Sequence, residues 1–105
     1  MRSVAVGLTK QGLEAARAAR DQGSDSFFSL TSGYYNYNGT SFGRISGTVP
    51  TMPDNNYAVS GHVNYYRVIQ FTASAVRMDV TVTTYWQEGS SYNYVDMATV
   101  LTKWR

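Results

Sequence analysis

Cysteine is absent from this chain of 105 residues. That excludes a disulfide framework, thiol nucleophiles and thiolate metal sites. It leaves the redox compartment open, because a cysteine-free chain folds in either environment. Charge is scarce as well: Asp, Glu, Lys and Arg make up 15% of the residues, against about a quarter in ordinary globular domains. The net charge of +2 is not gathered into a patch. Arg17 and Arg20 share one stretch, Lys103 and Arg105 another, so a strong electrostatic footprint for nucleic acid is missing. No apolar run approaches the ~18–20 residues needed to cross a bilayer, and no secretory signal stands at the start. The single histidine, His62, has neither a second His nor a Cys to complete a zinc site. It also has no placed Ser or acid partner. The seven acids show no spacing that would pair two carboxylates in an apolar cleft. Asp54-Asn55-Asn56 offers loop oxygens but lacks the EF-hand spacing, and reads as a turn. Gly39-Thr40-Ser41-Phe42-Gly43 lacks the Lys and the following helix of a phosphate loop. No catalytic residue, metal or cofactor is therefore expected, and the chain does not read as an enzyme.

What is present is hydrophobic content of 43% and nine tyrosines. That is enough for one core in one domain spanning residues 1–105. With so little charge, its polar surface must be built from Tyr, Ser, Thr, Asn and Gln. Such surfaces suit extracellular or assembled proteins.

Helical spacing predicts one helix, Ser3 to Gln22, with Ser3 as N-cap and Gly23 as C′ residue. Val4, Leu8, Gly12, Ala15 and Ala19 form one stripe, widened by Ala5, Leu13 and Ala16. Lys10, Glu14, Arg17 and Asp21 lie on the polar side, where Lys10–Glu14 and Arg17–Asp21 can pair. Residues 23–56 read as a connector and variable region. Phe27 and Phe28 tuck under the helix end, and Ser32 to Gly43, carrying Tyr34, Tyr35 and Tyr37, reads as a turn-rich loop with room for a short strand. Asn38-Gly39 there is a type I′ turn signal. Phe42 to Val49 alternates loosely and suits a strand. Residues 57–105 carry the clearest β pattern. A strand core lies at Tyr65–Phe71, and a short turn at Ala73–Val76. Arg77–Gln87 alternates strictly, with Met78, Val80, Val82, Thr84 and Trp86 on one face. A Gly89 loop leads to a last strand with Val95, Met97, Thr99 and Leu101 on one face. Asp79 and Asp96 are expected to face Arg67 or Arg77 across the sheet. The predicted fold is α+β: an N-terminal helix packed on an antiparallel meander with one covered and one wet face.

Two segments together resemble the bacterial type IV pilin-like family. Gln11-Gly12-Leu13-Glu14-Ala15-Ala16-Arg17-Ala18-Ala19-Arg20-Asp21 is similar to the end of that family's N-terminal helix, where it leaves the membrane and enters the globular head. Val80-Thr81-Val82-Thr83-Thr84-Tyr85-Trp86, a glycine-containing loop, and Ala98-Thr99-Val100-Leu101-Thr102-Lys103-Trp104-Arg105 resemble the closing hairpin of minor pilins and type II secretion minor pseudopilins. Trp86 falls two residues later than in the family pattern, after an inserted Thr-Tyr. The likeness covers both ends and hardly touches the middle.

The resemblance implies a structural subunit of a type IV pilus or of a related secretion or DNA-uptake filament. Its partners would be other pilin subunits and the assembly machinery. Its place would be the bacterial surface, or the inner membrane through an N-terminal membrane helix lying ahead of this sequence. Met1-Arg2-Ser3 then reads as a start codon plus a cloning scar, with a natural start as the alternative. Leu8, Gly12, Ala15 and Ala19 form the expected assembly face of the helix; the small-residue stripe at Gly12, Ala15 and Ala19 is expected to pack on the sheet while other parts of the helix meet neighbouring subunits. The other reading is a stand-alone extracellular binding module whose Tyr34, Tyr35 and Tyr37 stack on a glycan or another ligand; neither DNA nor glycan has a motif of its own.

Overall fold

The computed structural model describes residues 2–23, 27, 29–39, 41–51, 53–74 and 77–102. One helix, α1 (Arg2–Gln22), packs on a sheet of five strands. The strands are β1 (Gly33–Tyr37), β2 (Phe42–Ser46), β3 (Tyr65–Ala73), β4 (Arg77–Glu88) and β5 (Ser91–Thr102). Their order is β2-β1-β3-β4-β5, and every pairing is antiparallel. The α+β fold and the β3–β4–β5 meander are as the alternation predicts. The β1–β2 hairpin extends the sheet on the side away from β5.

Helix α1 begins at Arg2, so Ser3 lies inside it rather than capping it. Gly23 does not end it in the left-handed conformation either. The Gly23 N–H donates to the Ala19 carbonyl at 3.1 Å, and its own carbonyl accepts from the Phe27 N–H at 2.9 Å. Both bonds have the i to i−4 spacing of a helix. The buried face of α1 is Ala5, Leu8, Thr9, Gly12 and Ala16. This is the predicted stripe turned away from Val4, which is 39% exposed. The turn comes from Thr9, a polar residue omitted from an apolar stripe, whose hydroxyl is satisfied inside. Thr9 Oγ1 donates to the Ala5 carbonyl at 2.8 Å and lies 2.7 Å from Thr84 Oγ1. Since the one Thr9 proton is used on Ala5, Thr84 is the donor to Thr9. On the solvent side Arg17 pairs with Glu14 at 2.7 Å and Arg20 with Asp21 at 3.2 Å. These replace the predicted Lys10–Glu14 and Arg17–Asp21 pairs. The Arg17–Glu14 pair is largely exposed and contributes little to stability.

The core fills the space between α1 and the inner face of the sheet. Ile69, Phe71, Met78, Val80 and Val82 are fully covered. Phe71 is its aromatic centre, with edge contacts to Phe27, Tyr35 and Phe42 at ring-centroid distances of 5.6, 4.9 and 5.3 Å. Each such pair contributes about 0.5–1.5 kcal/mol beyond area burial. Phe27 sits under the helix end as predicted; Phe28 and Lys103 to Arg105 lie outside the described residues.

Strand β4 alternates buried and half-buried along its length, as its sequence does. Strand β3 is covered on both faces at Tyr65–Ile69. Its outer face is not wet, because a 3-10 turn, Asn55–Tyr57, lays Tyr57 (1% exposed) against Tyr66 and Val68. Gly89, at φ 65°, takes the first central position of the two-residue β4–β5 turn, where a type II′ hairpin requires positive φ.

Candidate functional site

The tyrosines proposed for recognition do not lie on a loop. Ser32 to Gly43, read as a turn-rich loop, contains β1, the turn and the start of β2. Side chains alternate along a strand, so the three rings part company. Tyr35 is buried in the core, with its hydroxyl donating to the Thr31 carbonyl. Burial also pushes its pKa up. Tyr34 lies on the outer face against the Tyr57, Tyr66 and Val68 cluster. Tyr37 shares the inner face with Phe42, ring centroids 4.8 Å apart. The turn after it is centred one residue later than Asn38-Gly39 predicts. Asn38 is the closing residue: its N–H donates to the Ser41 carbonyl, and its Oδ1 accepts from the Ser41 N–H at 2.8 Å. The short strand allowed for in this turn-rich stretch is β1, and it carries all three tyrosines, which interruption by Asn and Gly makes look like a turn when pairing is ignored. The five-residue strand is fixed only by its two neighbours.

The expected helix face is divided too. Leu8 and Gly12 are buried against the sheet, and Ala15 and Ala19 are half-buried. A Cβ on Gly12 would lie 2.9 Å from Val82 Cγ1 and 3.4 Å from Arg67 Cδ. Gly12 therefore sets how closely α1 approaches β3 and β4. Leu8 and Gly12 are used inside the domain and are not open to a neighbouring subunit.

One site is marked by no motif in the sequence. Arg67 is the third residue of β3, and strand alternation turns it inward with Tyr65, Ile69 and Phe71. It is 4% exposed. The space beside Gly12 lets it reach the helix backbone. Arg67 Nη1 donates to the Leu8 carbonyl at 3.2 Å and to Gln11 Oε1 at 2.7 Å; Nη2 donates to the Tyr37 carbonyl at 3.1 Å. Its Cζ stands 5.5 Å from the centre of the Tyr37 ring, within cation–π reach. Nε is buried without a hydrogen-bond partner. Asp79 and Asp96, expected to face it, lie on the opposite side of the sheet. Asp79 instead stands 3.6 Å from Arg77 on its own strand. Among the described residues Arg67 has no carboxylate partner. Burial lowers its pKa, yet a guanidinium keeps its proton inside proteins.

Arg67 lines a pocket of about 250 Å³. Helix α1 contributes Leu8 and Gln11, β1 Asn36 and Tyr37, and the segment ahead of β3 Val59 and Ser60. No Asp or Glu lies among its described walls. His62 stands at the wall as well, exposed, with its ring 6.1 Å from that of Tyr65. Asp54-Asn55-Asn56 is a turn as expected: Asp54 Oδ1 accepts from the Asn56 N–H at 2.9 Å and caps the 3-10 helix. Among the described residues no group of three His, Asp or Glu side chains is placed to hold a metal.

The signal for Arg67 was in the sequence. A strand with Tyr65, Ile69 and Phe71 inside must also bury the residue at 67, and a charge at an inward position marks something other than packing. No protein-family model, curated protein or solved structure matches this chain.

Proposed function

We propose that the chain is the globular head of a filament subunit of the type IV pilin-like class and acts by assembly at a bacterial surface rather than by catalysis. The supporting observation is the placement of α1. The helix lies along the inner face of β3, β4 and β5 through small side chains. It precedes a sheet that closes with the β4–β5 hairpin. A helix used in this way can carry a head on a stalk, with its polar side turned to neighbouring subunits. With Leu8 and Gly12 covered, the contact to those neighbours falls to the exposed side of the helix, around Lys10, Glu14 and Arg17. The partners in this reading are further copies of the chain or related subunits, together with membrane-bound assembly machinery.

The absence of cysteine makes the test direct. The full-length gene, expressed from its own locus, is given one cysteine at Lys10 and one at Arg17, and surface filaments are sheared and oxidised. The expected outcome is a ladder of disulfide-linked species in the sheared fraction, lost on reduction. Recovery of the unmodified protein solely as a free monomer, with none in membrane or filament fractions, refutes the reading.

A further inference from the structure

We infer that the pocket between α1, β1 and the start of β3 is a binding site for a small organic carboxylate, held by Arg67. The inference is independent of the filament reading. A guanidinium has five N–H donors in a planar fork, and Arg67 uses three of them on protein acceptors. The Nε donor has no partner although it is buried. A buried polar group left unpaired is costly, and a buried cation without a counter-charge more so. Gln11 Oε1 and two backbone carbonyls solvate the cation but do not neutralise it. The missing element is one negative charge.

The surroundings define the rest of the ligand. Asn36 and Ser60 add neutral polar groups to the walls, and Leu8 and Val59 supply an apolar side. One uncompensated charge calls for a monoanion; a phosphate dianion would bring a second charge with no second buried cation among the described residues to meet it. The planar carboxylate matches the planar guanidinium, and the volume limits the ligand to a small molecule. The same arginine also ties α1 to β1, so a purely structural role is the reading the test must separate.

The test is NMR titration of the full chain at constant ionic strength, following the Arg67 Nε–Hε signal and the amides of Tyr37 and Ser60. The probes are sodium acetate, sodium benzoate and inorganic phosphate. A carboxylate is expected to shift these signals saturably. Gln11→Glu is the informative variant, because it places a carboxylate on Arg67 from within. It should raise the thermal midpoint and weaken binding of the added carboxylate by about 10–100-fold. Arg67→Gln should abolish binding, but Gln11→Glu keeps the test decisive if that variant does not fold. No saturable shift with either carboxylate overturns the inference. So does binding unchanged in Gln11→Glu, and so does phosphate saturating at lower concentration than both carboxylates.

Discussion

Two glycines on one helix should respond to the same substitution with opposite signs. At Gly7 an added Cβ meets nothing within 4 Å. Gly7→Ala therefore gains only the helix-propensity difference, about 0.8–1.0 kcal/mol. In a domain of this size that is about 4–8 °C in Tm. At Gly12 the same Cβ would sit 2.9 Å from Val82 Cγ1 and 3.3 Å from Cγ2. Val82 is fully buried and paired across the sheet with Ile69 and Met97, so it cannot swing aside. Overpacking of that kind costs about 1–3 kcal/mol. After subtracting the propensity gain, Gly12→Ala should range from about neutral to about 2 kcal/mol destabilising. The assay is urea and thermal unfolding by circular dichroism on both variants, completed by a double-mutant cycle with Val82→Ala. Removing the two methyls should make Gly12→Ala stabilising in that background, with a coupling of about 0.5–3 kcal/mol. If Gly12→Ala stabilises the wild-type chain as much as Gly7→Ala does, the close approach of α1 to β4 is refuted.

Two further outcomes follow from buried polar groups. Because Thr84 donates to Thr9 and Thr9 to Ala5, Thr9→Val should strand the Thr84 hydroxyl and cost about 1–3 kcal/mol. Thr84→Val should cost less, and the double valine variant less than Thr9→Val alone, as read by urea midpoints. Burial is the leading cause of the raised pKa values of Tyr35, Tyr57 and Tyr85. The unfolded chain then loses these protons first as pH rises, so their neutral forms stabilise the fold below about pH 10, the ordinary tyrosine pKa. That stability is lost as pH climbs from there through the raised values. Absorbance titration at 295 nm should show a late-titrating group of tyrosines that joins the early group in denaturant; a single transition in the native protein would contradict it.

The elements legible in the sequence are those with an unbroken period. Strand β4 alternates from Met78 to Trp86 without a break, and nothing about its neighbours is needed to place it. The apolar stripe of α1 lies beside the centre of its buried face, because Thr9 is polar by composition and small and satisfied in place. Strand β1 is legible only as a short strand without bounds, for a different reason. Five residues with Gly33 at one end and Asn36 inside carry no period of their own, and only pairing to β2 and β3 makes them a strand. Non-local pairing is the information a single sequence carries least directly.

The candidate site was invisible for a related reason. Motif reading asks which chemical groups are close in the chain, and Arg67, Gln11 and Tyr37 are far apart in it. Their meeting depends on two conditions at once. Alternation in β3 must turn residue 67 inward, and a residue without a side chain must stand opposite it on α1. Gly12 is that residue. It also carries the helix-to-sheet approach, so one missing Cβ both sets the packing distance and opens the path by which the guanidinium reaches Leu8 and Gln11. The Gly12→Ala experiment therefore bears on more than stability. If the helix is displaced to accommodate the new methyl, the Arg67 bonds to α1 must lengthen with it. The Arg67 Nε–Hε signal should then move in that variant and stay in place in Gly7→Ala.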